Sequence, residues 1–377
     1  MSDRSEQWAA TMTGFSTASG GGADSPVRLA HADSFAVCGP IEFPATRPRR
    51  EATQATAPGA TLASGAGTRA IEEEPDEFRT CFERDRDRIL HSSAFRRLAG
   101  KTQVFVFPDD HQRTRLTHAL EVAQVAVSVA RALGLNVALA EAIALGHDCG
   151  HGPGGHASED ALEIFVPGGF DHATWGADVT LQSLNLCVET LDGIRNHSWS
   201  RPAPSTPEAE VVSWADRIAY VCHDFEDAMA TGIVTADMLP DAVRKQCGTR
   251  RSQWLGAFIT NMVATGVQTG KIGMGVEAAD ALAAFRRCNY ETIYLRQASV
   301  KQAQRVIAML RSLVDFFADR PHAISSLDAR PDIGAGSPEA LLAAVTYVGG
   351  MTDRFACRQA ITQLGWSTDR LPYGMNL

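Results

Sequence analysis

The stretch EAIALGHDCGHGPGGHASEDAL, residues 141–162, decides how this sequence is interpreted. With the preceding VALA it predicts a central helix that is apolar on nearly every side and ends at the adjacent pair His147-Asp148. A glycine-rich turn follows, in which the backbone can approach a ligand closely. Burying a carboxylate without a partner costs about 1–3 kcal/mol or more. The pair therefore indicates a cation or several hydrogen-bond donors beside Asp148.

Two other predicted helices carry candidate metal ligands. His118 lies in LTHALEVAQVAVSVARALGLN (116–136), and Asp216 lies in EAEVVSWADRIAYVCHDFEDAM (208–229), both with apolar residues at helical spacing. Packed helices can direct such side chains to one metal, and two imidazoles with two carboxylates form a mixed N/O shell. The competing interpretation, in which His147 and Asp148 merely cap a helix, explains neither His118 nor Asp216.

The glycine-rich turn also delivers His151, His156 and Glu159, and the loop GGFDHATWG (168–176) carries His172. Histidine titrates near neutrality, so these groups suit proton transfer or phosphate contact beside a metal. Each alone is equally consistent with an ordinary surface histidine. Their crowding onto two glycine-rich loops favours the functional interpretation.

The later helix and the start of the His118 helix add further polar groups. Spacings of three and four residues place one polar set on a single helix face, which suits a cleft wall or a solvated surface: Asp216, Tyr220, His223, Asp224 and Asp227. Arg115 lies one turn before His118, and arginine suits phosphate oxygens. Arg113 fits an exposed position equally well.

Composition restricts the class of protein. The formal net charge is -9 and the pI about 5.7, with no basic stretch, which disfavours duplex nucleic acid more than a small anionic substrate. Eight cysteines without paired spacing argue against a disulfide framework or zinc ribbon. No signal-peptide pattern and no apolar run of about 18 residues occur, so we expect a soluble, cytoplasmic protein.

The chain is predicted to be all-α, a helical bundle with a disordered N-terminal tail. Residues 1–70 are rich in Gly, Ala, Ser, Thr and Pro and are predicted to be flexible. Residues 71–377 form the domain, with a catalytic core at about 110–232 and a helical C-terminal part at about 240–377. KTQVFVFP, residues 101–108, is the one short strand candidate.

At this point the residues show a resemblance to a known family. The pattern H…HD…D resembles the HD phosphohydrolase superfamily and, within it, the bacterial dGTPase-like deoxynucleoside triphosphate triphosphohydrolases. The similar segments occur in order along the chain: RDRDRILHSSAFRRLAGKTQVF (84–105), RTRLTHALEVAQVA (113–126), EAIALGHDCGHGPGGHASEDAL (141–162), GGFDHA (168–173), ADRIAYVCHDFEDAM (215–229) and GGMTDRFA (349–356).

The resemblance implies a role for each candidate residue. The implied metal ligands are His118, His147, Asp148 and Asp216. The implied acid/base and phosphate-contacting group is His151, Glu159 and His172. The implied substrate contacts are Gln103, Arg115, His156, Arg217, Tyr220 and Asp224, with Gln103 at the sugar 3′-hydroxyl and Tyr220 disfavouring a 2′-hydroxyl.

The implied activity is metal-dependent hydrolysis of deoxynucleoside triphosphates to a deoxynucleoside and inorganic triphosphate, by attack of water on the α-phosphorus. The implied cofactor is one divalent ion per site, Mn²⁺, Mg²⁺, Co²⁺, Fe²⁺ or Ni²⁺, and the implied partners are a homo-oligomer such as a hexamer and an allosteric nucleotide. Two alternatives stay open. One is an HD phosphatase or phosphodiesterase acting on another nucleotide, and the other is a non-catalytic nucleotide-sensing oligomer.

One loop departs from the family pattern. Relatives commonly have Pro-Pro-Phe where this chain has Gly152-Pro153-Gly154, and Cys149 replaces an aliphatic residue. Loss of the aromatic ring and gain of glycine predict a more flexible loop.

Overall fold

The computed structural model describes residues 15–16, 28–30, 45–106, 111–324 and 333–374. The chain divides into two units, Met1–Ala45 and Thr46–Leu377. In the smaller unit, strands β1 (Phe15–Ser16) and β2 (Arg28–Leu29) pair antiparallel. The regular structure of the larger unit is helical in its described ranges, which confirms the predicted all-α class.

The α-helices of the larger unit follow in chain order: α1 Arg47–Glu51, α2 Cys81–His91, α3 Ser93–Arg97, α4 Arg115–Ala132, α5 Val137–Gly146, α6 His156–Leu162, α7 His172–Trp175, α8 Val188–Arg195, α9 Pro207–Ala230, α10 Asp241–Cys247, α11 Arg251–Thr269, α12 Val276–Asn289, α13 Gln297–Asp319, α14 Pro338–Gly349 and α15 Asp353–Leu364. Short 3₁₀ turns also occur: Leu98–Gly100, Glu163–Phe165, Gln182–Leu184, Ala236–Met238, Pro321–Ala323 and Thr368–Arg370. Gly176–Thr180 and Tyr290–Tyr294 form π-helical turns.

Side-chain caps define where the three central helices begin. The Thr114 hydroxyl accepts a hydrogen bond from the amide of Thr117 at the start of α4. Asn136 caps α5 in the same way, and Thr206 caps α9 ahead of a proline in its first turn. Caps of this kind satisfy amides that no helical carbonyl can reach, so they set the position of each helix along the chain.

Two apolar clusters hold the larger unit together. In the first, α4, α5 and α9 pack through fully buried side chains such as Val122, Ile143 and Ile218. In the second, α6 packs against α13 and α14 through residues such as Leu162 and Leu313, and α15 packs against α13. The C-terminal helices therefore support α6, which carries Glu159.

The predicted tail of residues 1–70 is too long. From Thr46 onward the chain belongs to the larger unit, and the Thr61 hydroxyl donates to the Glu208 carboxylate at 2.6 Å. Arg69 forms a 2.6 Å ion pair with Asp85. These are polar contacts to distant residues, which composition and apolar periodicity do not reveal. Of the earlier residues, only 15–16, 28–30 and 45 are among those described.

The strand candidate KTQVFVFP does not form a strand over its described residues, 101–106. Thr102 makes only an isolated antiparallel bridge with Thr114, and residues 107 and 108 lie outside the described ranges. The described cysteines are all free thiols, and Cys38 is not among the described residues. No described helix has both the length and the apolarity needed to span a bilayer.

We predict that Asp85→Ala destabilises the protein strongly. The Arg69 and Asp85 side chains are 1% and 0% exposed, and Asp85 also accepts from the Cys187 amide and the Thr190 hydroxyl. Removing one partner leaves a buried charge unpaired, so urea denaturation should show a loss of about 3–5 kcal/mol in the free energy of unfolding. The control is Asp87→Ala, whose ion pairs lie near the surface and should contribute less than about 1 kcal/mol. Equal losses in the two variants would contradict the prediction.

Candidate metal centre

Four side chains from three helices converge at one point. His118 projects from α4, His147 and Asp148 follow the end of α5, and Asp216 projects from α9. The Asp216 Oδ1 atom lies 3.0 Å from His118 Nε2 and 3.6 Å from His147 Nε2, and His147 Nε2 lies 3.6 Å from Asp148 Oδ1. The structure thus brings together the four residues that the sequence pattern selects.

The hydrogen bonding of His147 indicates that these four residues fit a metal ion. His147 Nδ1 donates to the Ala144 carbonyl at 2.6 Å, which leaves a lone pair on Nε2. That Nε2 atom is buried and has no hydrogen-bond partner among the described residues. A buried polar atom without a partner is unfavourable, and a divalent cation would satisfy it together with the two carboxylates.

The Asp148 carboxylate lies close to an arginine and to several histidines. Burial opposes its ionisation, but Arg115 and the surrounding histidines outweigh burial and hold the pKa of Asp148 well below its usual value. Its Oδ2 atom lies 2.6 Å from Arg115 Nη1, and its Oδ1 atom lies 3.2 Å from His151 Nε2. Asp148 is therefore charged, and its Oδ1 atom lies near both His147, a candidate metal ligand, and His151, a proposed acid/base residue.

The proposed acid/base residues form a stack beside Asp148. The His151 and His172 rings lie nearly parallel with centroids 3.7 Å apart, and His172 Nδ1 lies 2.7 Å from Glu159 Oε1. Burial, Arg115 and His172 lower the pKa of His151. Burial also opposes the charge on His172, but the Glu159 carboxylate outweighs it and raises the pKa of His172. Environments that separate the pKa values of two neighbours in this way are typical of acid and base partners.

His197 is a site residue that the sequence interpretation missed. Its Nδ1 donates to the Ile194 carbonyl at 2.8 Å, and its Nε2 lies 3.2 Å from His172 Nε2. It also lies with His147 and Asp216 in a cluster capable of holding a metal ion. The only sequence signal was that His197 is one of nine histidines crowded between residues 91 and 223.

Arg115 retains unused hydrogen-bond donors at the site. The residue is 2% exposed, and its Nε and Nη2 atoms have no hydrogen-bond partner in the described part of the chain. Gly155 approaches it with φ +64°, and a Cβ there would lie 2.9 Å from Arg115 Nη2. A glycine at this position therefore leaves room for the guanidinium beside the metal ligands.

Three further predicted substrate contacts, Gln103, Tyr220 and Asp224, have different hydrogen-bond partners. The Gln103 Oε1 atom is buried without a partner among the described residues. The Tyr220 hydroxyl accepts from Arg286 Nε at 2.8 Å. Asp224 accepts from the Tyr294 hydroxyl, and burial raises the pKa of Asp224 to about 7. Fixed hydroxyl and carboxyl groups of this kind can orient a polar ligand.

His156 and Arg217 lie nearer the surface. The His156 side chain is 77% exposed, and its Nδ1 lies 2.8 Å from Glu159 Oε2, so it contacts the stack from outside. The Arg217 guanidinium lies over the Trp199 ring, 3.5 Å from its centroid, and follows Asp216 directly.

The polar residues of α9 do not all belong to the candidate site. Further along, Asp227 forms an ion pair with Arg113, and the Nδ1 atom of His223 lies 3.0 Å from Glu121 Oε2. These contacts tie α9 to α4 and its preceding segment, so the interpretation as a cleft wall is wrong for Asp227. His223 lines a cavity of about 560 Å³ together with Arg113 and Glu121, and none of the four candidate metal ligands lines that cavity. Arg113 is engaged in ion pairs and is not available to bind phosphate.

The loop that departs from the family pattern is buried and held at both ends. The Gly152 amide donates to Ser158 Oγ at 3.0 Å, and the Gly154 amide donates to Asp353 Oδ1 at 2.9 Å. Lys101 Nζ donates to the carbonyls of His151 and Gly349. The structure therefore does not support the expectation of a looser loop, because side chains from outside the loop hold its backbone.

Known proteins are similar to this chain in sequence over most of its length. The HD domain model matches residues 115–221, and the model of the phosphohydrolase-associated domain matches residues 272–361. A deoxyguanosinetriphosphate triphosphohydrolase-like protein of Caldanaerobacter subterraneus subsp. tengcongensis is 38% identical over 295 residues, covering 76% of this chain and 86% of the relative. One from Caulobacter sp. strain K31 is 36% identical, covering 77% and 92%. A solved phosphohydrolase of Bacteroides thetaiotaomicron VPI-5482 has a TM-score of 0.46 at 18% identity, covering 73% of this chain and 68% of that chain.

We predict that Asp148→Asn abolishes metal retention, because it removes the charged oxygen shared by both sides of the site. Elemental analysis of the purified protein should show a loss of at least about tenfold in bound divalent ion. The control is Asp160→Asn, an exposed position on α6 that carries the same chemical change and should retain the ion. Unchanged metal content in Asp148→Asn would refute the ligand assignment.

We predict a pH-dependent contribution of Lys101 to stability. Burial lowers the pKa of Lys101 to about 7, whereas a lysine in the unfolded chain titrates at about 10.4. Between these values the unfolded state binds more protons, so the free energy of unfolding rises with pH. From about pH 7 to 9, the free energy of unfolding measured by urea denaturation should rise more steeply in the wild type than in Lys101→Met. The difference should be up to about 1.4 kcal/mol per pH unit. Lys271→Met, at an exposed lysine, should parallel the wild type. If the free energy of unfolding of Lys101→Met had the same pH dependence as that of the wild type, the lowered pKa of Lys101 would be contradicted.

Proposed function

The chain belongs to the deoxyguanosinetriphosphate triphosphohydrolase-like family of HD-domain proteins, and from this premise we propose that it hydrolyses deoxynucleoside triphosphates to a deoxynucleoside and inorganic triphosphate. Family membership makes the chain a metal-dependent phosphohydrolase. The choice of substrate and of the bond that breaks is the part that we propose.

The observation that carries the proposal is the position of Asp148 between two chemically different groups. Its Oδ1 atom lies 3.6 Å from the metal-side His147 and 3.2 Å from His151, and its Oδ2 atom contacts Arg115. A phosphate bound beside Asp148 would therefore meet a cation, an arginine and an imidazole pair at once. This combination suits displacement at phosphorus.

The metal would be held by His118, His147, Asp148 and Asp216. When bound, such an ion polarises a phosphate oxygen and lowers the pKa of coordinated water. Two imidazoles in the donor set favour Mn²⁺, Fe²⁺, Co²⁺ or Ni²⁺ over Mg²⁺.

The protein's own groups account for the rest of the reaction. Arg115 directs its unpaired Nε and Nη2 donors at the triphosphate oxygens, where charge is concentrated. Water adds to the α-phosphorus, and the bond from that phosphorus to the 5′-oxygen breaks. The departing 5′-oxygen takes a proton from the stacked imidazoles, for which His172, paired with Glu159, is the better donor. His151, with its lowered pKa, is suited to accept a proton.

We also propose a sugar pocket. We place the deoxyribose against Gln103, Tyr220 and Asp224, with Tyr220 held by Arg286 where a 2′-hydroxyl would project. Arg217 and His156 would contact the phosphates or base from the more exposed side. A homo-oligomer such as a hexamer is a further proposal from family resemblance.

The test is hydrolysis of each dNTP and NTP with Mg²⁺, Mn²⁺ or Co²⁺ in ¹⁸O-labelled water. We expect dNTPs to give inorganic triphosphate that carries the label and an unlabelled deoxynucleoside, because water attacks phosphorus. Asp148→Asn should lose at least about a hundredfold in kcat/KM, and Asp160→Asn should not. Orthophosphate or a monophosphate as the product would favour an HD phosphatase or phosphodiesterase. Binding of dNTP to the metal-loaded protein without turnover would favour a nucleotide sensor.

A further inference from the structure

Trp199 lies in the segment that joins α8 to α9, and its ring packs against a guanidinium beside the metal centre. The Arg217 guanidinium lies 3.5 Å from the centroid of the Trp199 ring. Trp214, one turn before Arg217 on α9, packs edge to face with the same ring at a centroid distance of 4.6 Å. The Trp199 side chain is 47% exposed, so this stack lies near solvent and not in the apolar core.

The segment that carries Trp199 is held in place by the protein itself. Asp192 in α8 accepts from Asn196 Nδ2 at 2.8 Å, close to the start of the segment. The same carboxylate accepts from the amide and the hydroxyl of Ser205, both at 2.7 Å, close to its end. Both ends of the segment are thus bonded to one side chain, and the indole is positioned without a bound ligand.

Arg217 differs from Arg113 in the kind of partner that holds it. Arg113 forms ion pairs with three carboxylates, which occupy its N–H donors. The Arg217 side chain is half-buried, and it forms no ion pair and no hydrogen bond with the part of the chain that the structure describes. An aromatic ring contacts the flat face of a guanidinium and leaves the N–H groups in its plane free. Arg217 is therefore held in position with its donors available to an anion.

We propose that Trp199 is a positioning residue that holds Arg217 against the terminal phosphates of a nucleoside triphosphate and thereby selects ligands with a long phosphate chain. This inference rests on the proposed function. Arg115, which is 2% exposed and bonded to Asp148, lies beside the candidate metal ligands, where the reacting phosphorus would bind. Arg217 lies on the more exposed side, so it meets the end of the chain farthest from that phosphorus. A single phosphate bound beside Asp148 does not reach it.

The test is calorimetric titration of the metal-loaded full chain with inorganic triphosphate and with orthophosphate. Trp199→Ala should weaken triphosphate binding about tenfold, because Arg217 loses its support, and should leave orthophosphate binding unchanged. Trp199→Phe keeps an aromatic face and should stay within about threefold of the wild type. Trp199→Leu keeps apolar bulk without that face and should behave like Trp199→Ala. The matched control is Tyr373→Ala, which removes a 60% exposed ring stacked with Arg305 in the C-terminal segment and should bind triphosphate like the wild type.

A double variant separates positioning from a general loss of structure. If Trp199 acts through Arg217, adding Trp199→Ala to Arg217→Ala should weaken triphosphate binding no further than Arg217→Ala alone. In turnover of a dNTP, Trp199→Ala should raise KM about tenfold and leave kcat within about twofold, because the lost contact is remote from the bond that breaks. Circular dichroism should show each variant folded.

Four results would overturn the proposal. They are an unchanged triphosphate affinity in Trp199→Ala, an equal weakening of orthophosphate, an equal loss in Tyr373→Ala, and additive losses in the double variant. If no dNTP is hydrolysed, the proposed function fails, while the triphosphate titrations still decide whether Trp199 positions Arg217.

Discussion

A charged carboxylate near the centre of an apolar helical core imposes the main constraint on this molecule. Asp148 is buried at the end of α5, yet Arg115 and its histidine neighbours keep it ionised. A buried carboxylate must be paired with opposite charge. Helices α4 and α9 therefore bring polar side chains to Asp148 while their apolar faces pack around α5. The same three helices consequently form both the candidate metal centre and the apolar core, so a change in their packing alters both.

The second constraint is the backbone of the loop that follows. It carries groups that must lie within a few ångströms of Asp148, but its glycines provide no side chains to hold it. Lys101 and Asp353 supply the missing contacts through loop carbonyl and amide groups. Asp353 lies in α15, so the C-terminal helices contribute to the geometry of the site, although none of the four candidate metal ligands lies on them.

Much of this could be predicted from short-range patterns. Helical periodicity located α4, α5 and α9, and the polar residues interrupting their apolar faces identified His118 and Asp216, because a buried polar side chain on an apolar face requires a partner. Prediction failed where the signal lay in long-range polar contacts. The segment from Thr46 to residue 70 has the composition of a tail but is held by Glu208 and Asp85, and His197 lies in a segment with no motif of its own.

The amino-acid sequence by itself determined the all-helical class, and it selected the candidate metal ligands together with the helices that carry them. Each of these follows from local periodicity and from the chemistry of burying charge. Tertiary structure alone decided that His151 and His172 stack with opposite pKa shifts, that Arg115 keeps free donors, and that Asp353 holds the catalytic loop through the Gly154 amide. These features depend on distances between residues far apart in the chain, and such distances exist only once the two apolar clusters have packed.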